Sequence, residues 1–212
     1  MRPVVVTVGS LAAANNASIA ASQTPSGAGN LTLTSSTVTL DQPRQVLITT
    51  TSDTTARTFT VTGTTFNGAV VSETVKGPNN STVATNTDFA TVTSISISGS
   101  ASAALYVGTN SVAGSSWVRF DEYAPSNVSI QCTVSGTVNY TIQSTLDDPN
   151  SATNPVSIPS VTWVNSSDTN VVSATATKQS NFLFAPLFAR VLVNSGTGSV
   201  TATFVQDSNG PY

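Results

Sequence analysis

The chain has 212 residues, no histidine, one cysteine, charged side chains at 8% of its positions and a net charge of −3. The absence of histidine excludes enzymes that use imidazole as a base, metal ligand or proton shuttle. The seven Lys and Arg residues are scattered singly, whereas nucleic acids and anionic membranes bind clustered cations, so neither is expected as a partner.

The first thirty residues are predicted to form an extended arm. The apolar run Val4–Val8 is soon broken by Gly9 and Ser10, so it is too short for a signal peptide or for a membrane span of ~20 residues. The Ala/Asn/Ser-rich stretch that follows lacks the apolar stripe of a helix. An arm of this kind adds a strand to the open sheet edge of a neighbouring molecule.

Residues 31–110 are predicted to form a first β-sandwich or barrel domain. Short apolar runs predict strands at 31–33, 38–40, 44–49, 57–62, 69–75, 91–98 and 103–107. Asn67-Gly68 accepts the positive φ angles of a type I′ turn and therefore predicts a hairpin. The small, polar segment 109–116 then indicates a domain boundary.

Residues 111–212 are predicted to form a second domain of the same kind. Strict alternation over 128–134 and 138–142, separated by Ser135-Gly136, predicts a hairpin. Later strands are predicted at 161–164, 171–177, 180–184, 189–193 and 199–206. The sequence therefore predicts an all-β protein, in which two tandem antiparallel β-sandwich or barrel domains, 31–110 and 111–212, follow the arm 1–30.

Few residues suggest chemistry. Cys132 lies in phase with the apolar residues of its strand, which predicts a buried core residue rather than a reactive thiol. The oxygen-rich loop around Asp147 and Asp148 is either a calcium loop or a solvated turn. Asp121 and Glu122 are adjacent, so on a strand they would point to opposite faces and could not flank one substrate. We predict no catalytic residue, no cofactor and no metal site, and hence no enzyme.

The segment 182–188 concentrates apolar residues of both parities in a short stretch. This pattern is typical either of a strand buried on both faces or of a patch that docks a second chain. Together with the arm, it supplies the predicted interface residues Val4, Val6, Leu11, Phe182, Phe184, Leu187 and Phe188.

Several Thr/Gly-rich β motifs carry a family resemblance: 44–50, 57–63, 67–68, 72–77, 89–95, 107–108, 134–142, 145–149, 162–163 and 196–204. In these segments the chain resembles tailed-bacteriophage virion structural proteins, especially capsid decoration (cement) proteins. The resemblance implies a structural protein that binds the major capsid protein or other virion proteins on the outer capsid surface. It also implies a homo-oligomer, with a trimer as one arrangement.

Two alternatives stay open at this point. The first is a neck or tail component of the virion, such as a collar or fibre-base protein. The second is a surface carbohydrate-binding or adhesive β-sandwich, for which Trp117, Tyr123 and Trp163 are the candidate contact residues.

Overall fold

The computed structural model describes residues 3–207, whose regular secondary structure is almost all β-strand. The strands in chain order are β1 (Val4–Val8), β2 (Asn15–Gln23), β3 (Gly29–Asn30), β4 (Val38–Thr50), β5 (Thr58–Thr64), β6 (Val70–Lys76), β7 (Thr82–Ile97), β8 (Leu105–Thr109), β9 (Ala113–Gly114), β10 (Val118–Arg119), β11 (Val128–Ser135), β12 (Val138–Thr145), β13 (Val164–Asn165), β14 (Lys178–Phe182), β15 (Phe188–Gly196) and β16 (Ser199–Gln206). Two 3-10 helices span Ile158–Ser160 and Thr169–Val171. No helix in this part of the chain is long and apolar enough to cross a membrane. The all-β prediction is confirmed.

The strands belong to two compact units. Unit 1 combines the segment that ends at Leu11 with the segment that begins at Ala113, and unit 2 is the continuous segment Ala12–Val112. The tandem arrangement of domains 31–110 and 111–212 is therefore not confirmed, because the first strand of the chain belongs with the last strands.

The predicted arm 1–30 is not confirmed either. β1 pairs antiparallel with β16 over its whole length, and β2 pairs with β8. The physical reason is burial, since Val6 and Val8 lie in the core of unit 1 and Ile19 lies in the core of unit 2. A free arm would leave these side chains in water. Removal of residues 2–22 would thus damage both cores instead of releasing a dispensable arm.

Unit 1 is a sandwich of two antiparallel sheets. One sheet has the order β1-β16-β11-β14, and the other has the order β10-β15-β12-β13, with β9 beside β15. Alternate residues of both sheets meet in one core, whose members include Val6, Val8, Val128, Ile130, Cys132, Val138, Tyr140, Ile142, Val191, Val193, Val200, Ala202 and Phe204. The β-sandwich character predicted for this part of the chain is confirmed.

The two strands of the predicted hairpin in unit 1 lie where expected, but they do not pair with each other. β11 pairs with β14 and β16, whereas β12 pairs with β13 and β15. The chain at Ser135-Gly136 thus crosses from one sheet to the other, and the connection from β15 to β16 does the same. Alternation specifies only which face of a strand is buried. A facing sheet can cover that face, so alternation does not determine which strands pair with each other.

Glycines allow these crossings to pack closely at one end of unit 1, which we call the glycine end. A Cβ added to Gly198 would lie 2.4 Å from the Ser135 carbonyl oxygen, and a Cβ on Gly9 would lie 2.4 Å from the Gly198 carbonyl oxygen. Gly136 also has a positive φ of 76°. Only glycine fits where three backbones approach in this way.

Unit 2 is a single seven-stranded antiparallel sheet with the order β2-β8-β4-β7-β5-β6, and β3 lies beside β7. Register shifts between β4 and β7 and between β5 and β7 bend these strands. Among the described residues this unit contains no helix, so its strands supply the core. The core includes Ile19, Val46, Ile48, Phe59, Val61, Phe89, Ile95, Leu105 and Val107.

The hairpin predicted around Asn67-Gly68 is confirmed, because β5 and β6 pair in register. Its turn differs from the predicted type I′, since Gly68 has a positive φ of 81° and Asn67 does not. The Gly68 N–H donates to the Thr65 carbonyl (3.0 Å), as in a type I turn followed by a left-handed glycine. The strands predicted at 31–33 and 171–177 are wrong, since neither segment pairs as an extended strand.

A buried carboxylate holds the edge strand β6 against β7. Glu73 points inward from β6 and accepts hydrogen bonds from the backbone N–H groups of Asn86 (2.7 Å) and Thr87 (2.8 Å). These donors lie within the stretch of β7 between the paired residues Ala84 and Asp88, where a register shift interrupts pairing with β4. The carboxylate therefore satisfies backbone donors that the sheet leaves open.

A buried arginine joins the first and last parts of unit 2. Arg44 is 1% exposed and donates to the carbonyl oxygens of Ala12 (3.0 Å) and Asn110 (2.8 Å). It also pairs with Asp41, whose carboxylate accepts the Ala12 N–H (2.7 Å). Because Ala12 begins unit 2 and Asn110 lies near its end, one side chain ties both ends of the unit together.

Candidate interaction surface

Unit 1 has a second end, opposite the glycine end, which we call the loop end. It consists of three loops, 120–127, 146–150 and 183–187, and of the strand termini that they join. The register places these termini together, because Val128 pairs with both Phe182 and Gln206, and Thr145 pairs with Phe188. Loops presented by a sandwich in this way are a common position for binding sites.

Hydrogen bonds fix the three loops to one another. The Phe120 N–H donates to the Leu187 carbonyl (3.1 Å), and the Leu187 N–H donates to the Thr145 carbonyl (3.0 Å). The buried Gln206 side chain accepts the Asp121 N–H (2.9 Å) and donates to the Asp121 carbonyl (2.8 Å). The loop end is therefore a preorganised part of the sandwich.

A series of aromatic rings connects the core to this surface. Phe120 packs edge-on against Phe204 (5.9 Å between ring centroids) and Phe182 (6.4 Å), and both partners are buried. Phe182 in turn contacts Phe184 (5.8 Å), which is 47% exposed. The core thus supports an aromatic side chain that faces solvent.

The three loops carry a set of exposed apolar side chains, which we call the apolar patch. Its members are Tyr123 (85% exposed), Leu146 (73%), Leu183 (77%) and Phe184 (47%). Each loop contributes at least one of them. Isolated apolar residues are ordinary on protein surfaces, but several at one end of a rigid unit indicate an interaction site.

The structure places the predicted interface residues in different surroundings. Val6, Leu11, Phe182 and Phe188 are buried in unit 1, Val4 and Leu187 are half-buried, and Phe184 is exposed. The segment is not a strand buried on both faces, because β14 ends at Phe182 and the next residues form a loop. The interpretation of 182–188 as a docking patch stays a prediction.

Sequence reasoning did not identify Leu146 and Leu183 as surface residues. Leu146 continues the alternation of the preceding strand, and it is exposed because β12 ends at Thr145. Leu183 lies between two phenylalanines in a segment that resembles a buried strand. In both cases, exposure depends on a strand end that periodicity does not locate.

An aromatic and cationic cluster forms around Phe188 and Arg190 of β15, the strand that follows the loop 183–187. Trp117 meets Trp163 edge-on (5.0 Å between centroids) and Phe188 in the same manner (5.8 Å). The guanidinium of Arg190 stacks over Trp163 at 4.4 Å, which is a cation–π contact. Arg190 is buried, and its Nε donates to Gln143 (2.9 Å). We call these residues the tryptophan cluster.

The carboxylates of the loop 147–150 are used within unit 1. Asp147 accepts the Thr162 N–H (2.7 Å), and Asp148 accepts the Asn150 N–H (2.8 Å) and lies 4.0 Å from Arg119. Among residues 3–207, no group of three or more His, Cys, Asp or Glu side chains is placed to hold a metal ion. The geometry of this loop is that of a turn.

The adjacent acids Asp121 and Glu122 lie in a turn, not on a strand as the sequence suggested. The Ala124 N–H donates to the Asp121 carbonyl (3.3 Å), and the Asp121 carboxylate accepts the Tyr123 N–H (2.9 Å). The turn holds Tyr123 out into solvent and places two carboxylates beside it.

Cys132 lies in the core of unit 1, as predicted. Burial raises the pKa of its thiol from 9.0 to about 11. The same burial raises the pKa of Tyr140, whose hydroxyl donates to the Ala176 carbonyl (3.1 Å). The thiol is therefore protonated and inaccessible at neutral pH.

No protein-family model, curated protein or solved structure matches the chain. The fold, the apolar patch and the tryptophan cluster are therefore the basis for a functional proposal, together with the resemblance in the sequence.

Proposed function

We propose that this protein is a structural, non-enzymatic component of a tailed-phage virion. In this proposal it decorates the outer capsid surface and stabilises the shell by binding the major capsid protein lattice through the apolar patch. The observation that supports it best is the set of exposed apolar side chains on three mutually hydrogen-bonded loops. The resemblance of the sequence to decoration proteins supplies the identity of the partner.

The physical chemistry of the loop end suits repeated docking on a lattice. Tyrosine, phenylalanine and leucine bury large apolar areas, and the fixed loops lose little conformational entropy when they bind. A lattice presents its sites many times, so a modest interface per copy is sufficient when copies also contact one another. The homo-oligomer, including the trimer, belongs to this proposal, and sedimentation of the free protein tests whether it forms before docking.

Copy number is the first test of the location in the virion. Quantitative mass spectrometry of purified particles compares this protein with the major capsid protein. A copy number that scales with the number of capsid subunits supports the decoration proposal. A handful of copies favours the alternative of a neck or tail component, and complete absence from particles refutes both.

A pair of substitutions tests the docking surface. Leu183→Ser combined with Phe184→Ser removes two exposed side chains, so the fold is retained while binding to particles stripped of the protein weakens at least about tenfold per side chain. Val70→Ser is the matched control, because Val70 is also highly exposed (78%) but lies in unit 2. Wild-type binding by the double variant would refute the apolar patch as the docking surface.

A second candidate function is carbohydrate binding, which the tryptophan cluster favours. Trp117 and Trp163 are half-buried and in contact, and Arg119 and Asp148 lie nearby as hydrogen-bonding groups. Indole faces and such polar groups are a usual combination for sugar recognition. Because these are the chain's only two tryptophans, selectively excited tryptophan emission reports this cluster alone.

The carbohydrate candidate is tested by screening a glycan array and titrating any hit against tryptophan fluorescence. Binding that Trp163→Ala abolishes, while the particle interaction persists, would support a separate sugar site. No array binding and an unchanged emission spectrum would exclude it.

A further inference from the structure

We infer that the surface docked by the apolar patch is basic, so that lysine and arginine side chains of a different protein surround the apolar contact. This inference rests on the proposed function of the patch as the attachment site. It specifies the charge of the partner's surface, which the proposed function does not state. It also excludes the binding of a second copy of this chain through the same patch.

The loop end collects a large share of the chain's negative charge. Half of the ten acidic residues lie there: Asp121, Glu122, Asp147, Asp148 and Asp207. Asp207 belongs to this end because its N–H donates to the Asn127 carbonyl (3.3 Å). Four of these acids thus lie in the same loops as Tyr123 and Leu146 of the apolar patch, and Asp207 follows the end of β16.

The cations near this end, among residues 3–207, do not neutralise it. Arg190 is buried, stacked over Trp163 and hydrogen-bonded to Gln143. Its positive charge therefore faces the tryptophan cluster and not the solvent. Arg119 lies 4.0 Å from Asp148 and offsets one carboxylate. Asp121 and Glu122, which directly precede Tyr123 in sequence, are exposed.

An apolar centre with a charged rim is the usual anatomy of a protein interface. Rim carboxylates attract a basic surface over a distance of about one Debye length, and salt screens that attraction. A second copy of the same patch would bring like charges together at close range, which is unfavourable. Charge complementarity thus favours a basic partner over a second copy of this chain.

Binding to stripped particles tests this inference when it is measured from about 0.05 M to about 0.5 M NaCl, where the Debye length falls severalfold. The charge variant combines Asp121→Asn with Glu122→Gln, and asparagine retains an oxygen that can accept the Tyr123 N–H. Asp53→Asn is the matched control, because Asp53 accepts the Thr55 N–H in a similar turn of unit 2. Circular dichroism checks that each variant is folded.

We expect wild-type affinity to fall at least about tenfold across the salt range, and the charge variant to bind about tenfold more weakly at low salt with a flatter salt dependence. Wild-type binding by the charge variant, together with salt-independent affinity, would overturn the basic partner. If Leu183→Ser/Phe184→Ser still failed to bind in that case, the attachment site itself would stand. Unaltered binding by the Leu183/Phe184 variant would instead overturn the attachment site, and this inference with it.

Discussion

The ion pair between the buried Arg44 and the more exposed Asp41 provides the sharpest test of how unit 2 is held together. Asp41→Asn leaves a buried guanidinium without its counterion, which costs about 3–5 kcal/mol in comparable sites. The Asp41 side chain is 35% exposed, so solvent screening favours the lower end, about 3 kcal/mol. Arg44→Met removes two charge-assisted hydrogen bonds to the Ala12 and Asn110 carbonyls, and at roughly 1.5 kcal/mol each the cost is again about 3 kcal/mol.

The double variant distinguishes a coupled pair from two independent residues. Once Arg44 is replaced by methionine, the charge of Asp41 has no buried partner, so the second substitution adds little. We therefore expect the double variant to lower the free energy of unfolding by about 3 kcal/mol. Two independent residues would lower it by about 6 kcal/mol, so the expected coupling energy is about 3 kcal/mol.

Urea unfolding followed by far-UV circular dichroism, combined with amide exchange at Ala12, measures these costs in unit 2. Trp117 and Trp163 both lie in unit 1, so their fluorescence follows the other unit as an internal control. Additive costs would refute the coupling. An equal shift of the fluorescence transition would refute the assignment of this pair to unit 2 alone.

Three further predictions concern the two cores. Glu73→Gln is expected to cost about 2 kcal/mol, because an amide replaces a carboxylate that accepts two buried N–H groups; urea unfolding measures it. Gly198→Ala is expected to cost about 3 kcal/mol or to prevent folding, because its Cβ would meet only backbone atoms, whereas Gly27→Ala, with open space around it, leaves the melting temperature unchanged. Burial raises the pKa of Cys132 from 9.0 to about 11. The protonated thiol therefore stabilises the fold fully below pH 9.0, and about 2–3 kcal/mol of stability is lost as the pH rises to about 11. In denaturation measured across this pH range, Cys132→Ala is expected to reduce that loss.

The strands that the sequence predicts best are those with strict alternation. β16 spans Ser199–Gln206, as its alternating pattern indicates, and β11 and β12 begin where predicted and end one and three residues later than predicted. Their pairing could not be predicted in the same way. Alternation describes one strand and the face it buries, whereas pairing depends on strands that are distant in sequence.

The first strand illustrates that limit. Val4–Val8 pairs with residues at the other end of the chain, so nothing within a local window distinguishes it from an exposed arm. The division into units has the same origin, because unit 1 is assembled from both ends of the chain. The Asn67-Gly68 hairpin was predictable because its partners are adjacent in sequence.

The candidate surface was only partly predictable for a related reason. The aromatic density of 182–188 identified the region, but the division into buried Phe182 and Phe188 and exposed Leu183 and Phe184 follows from where β14 ends and β15 begins. The contributions of Leu146 and Tyr123 come from loops that are far away in sequence. Composition can locate an apolar segment, but only the fold decides which of its side chains reach solvent.

The two ends of unit 1 differ in how closely their backbones pack and in how far their side chains reach into solvent. This difference supports the loop end as the binding surface. At the glycine end, backbones approach so closely that Gly9 and Gly198 leave no room for a side chain, so these two positions contribute close packing. At the loop end, backbone hydrogen bonds and the Gln206 amide fix the loops, while their side chains project outward. Rigid backbone with exposed aromatic and aliphatic side chains is what a binding surface requires, because docking then orders few groups and buries much apolar area.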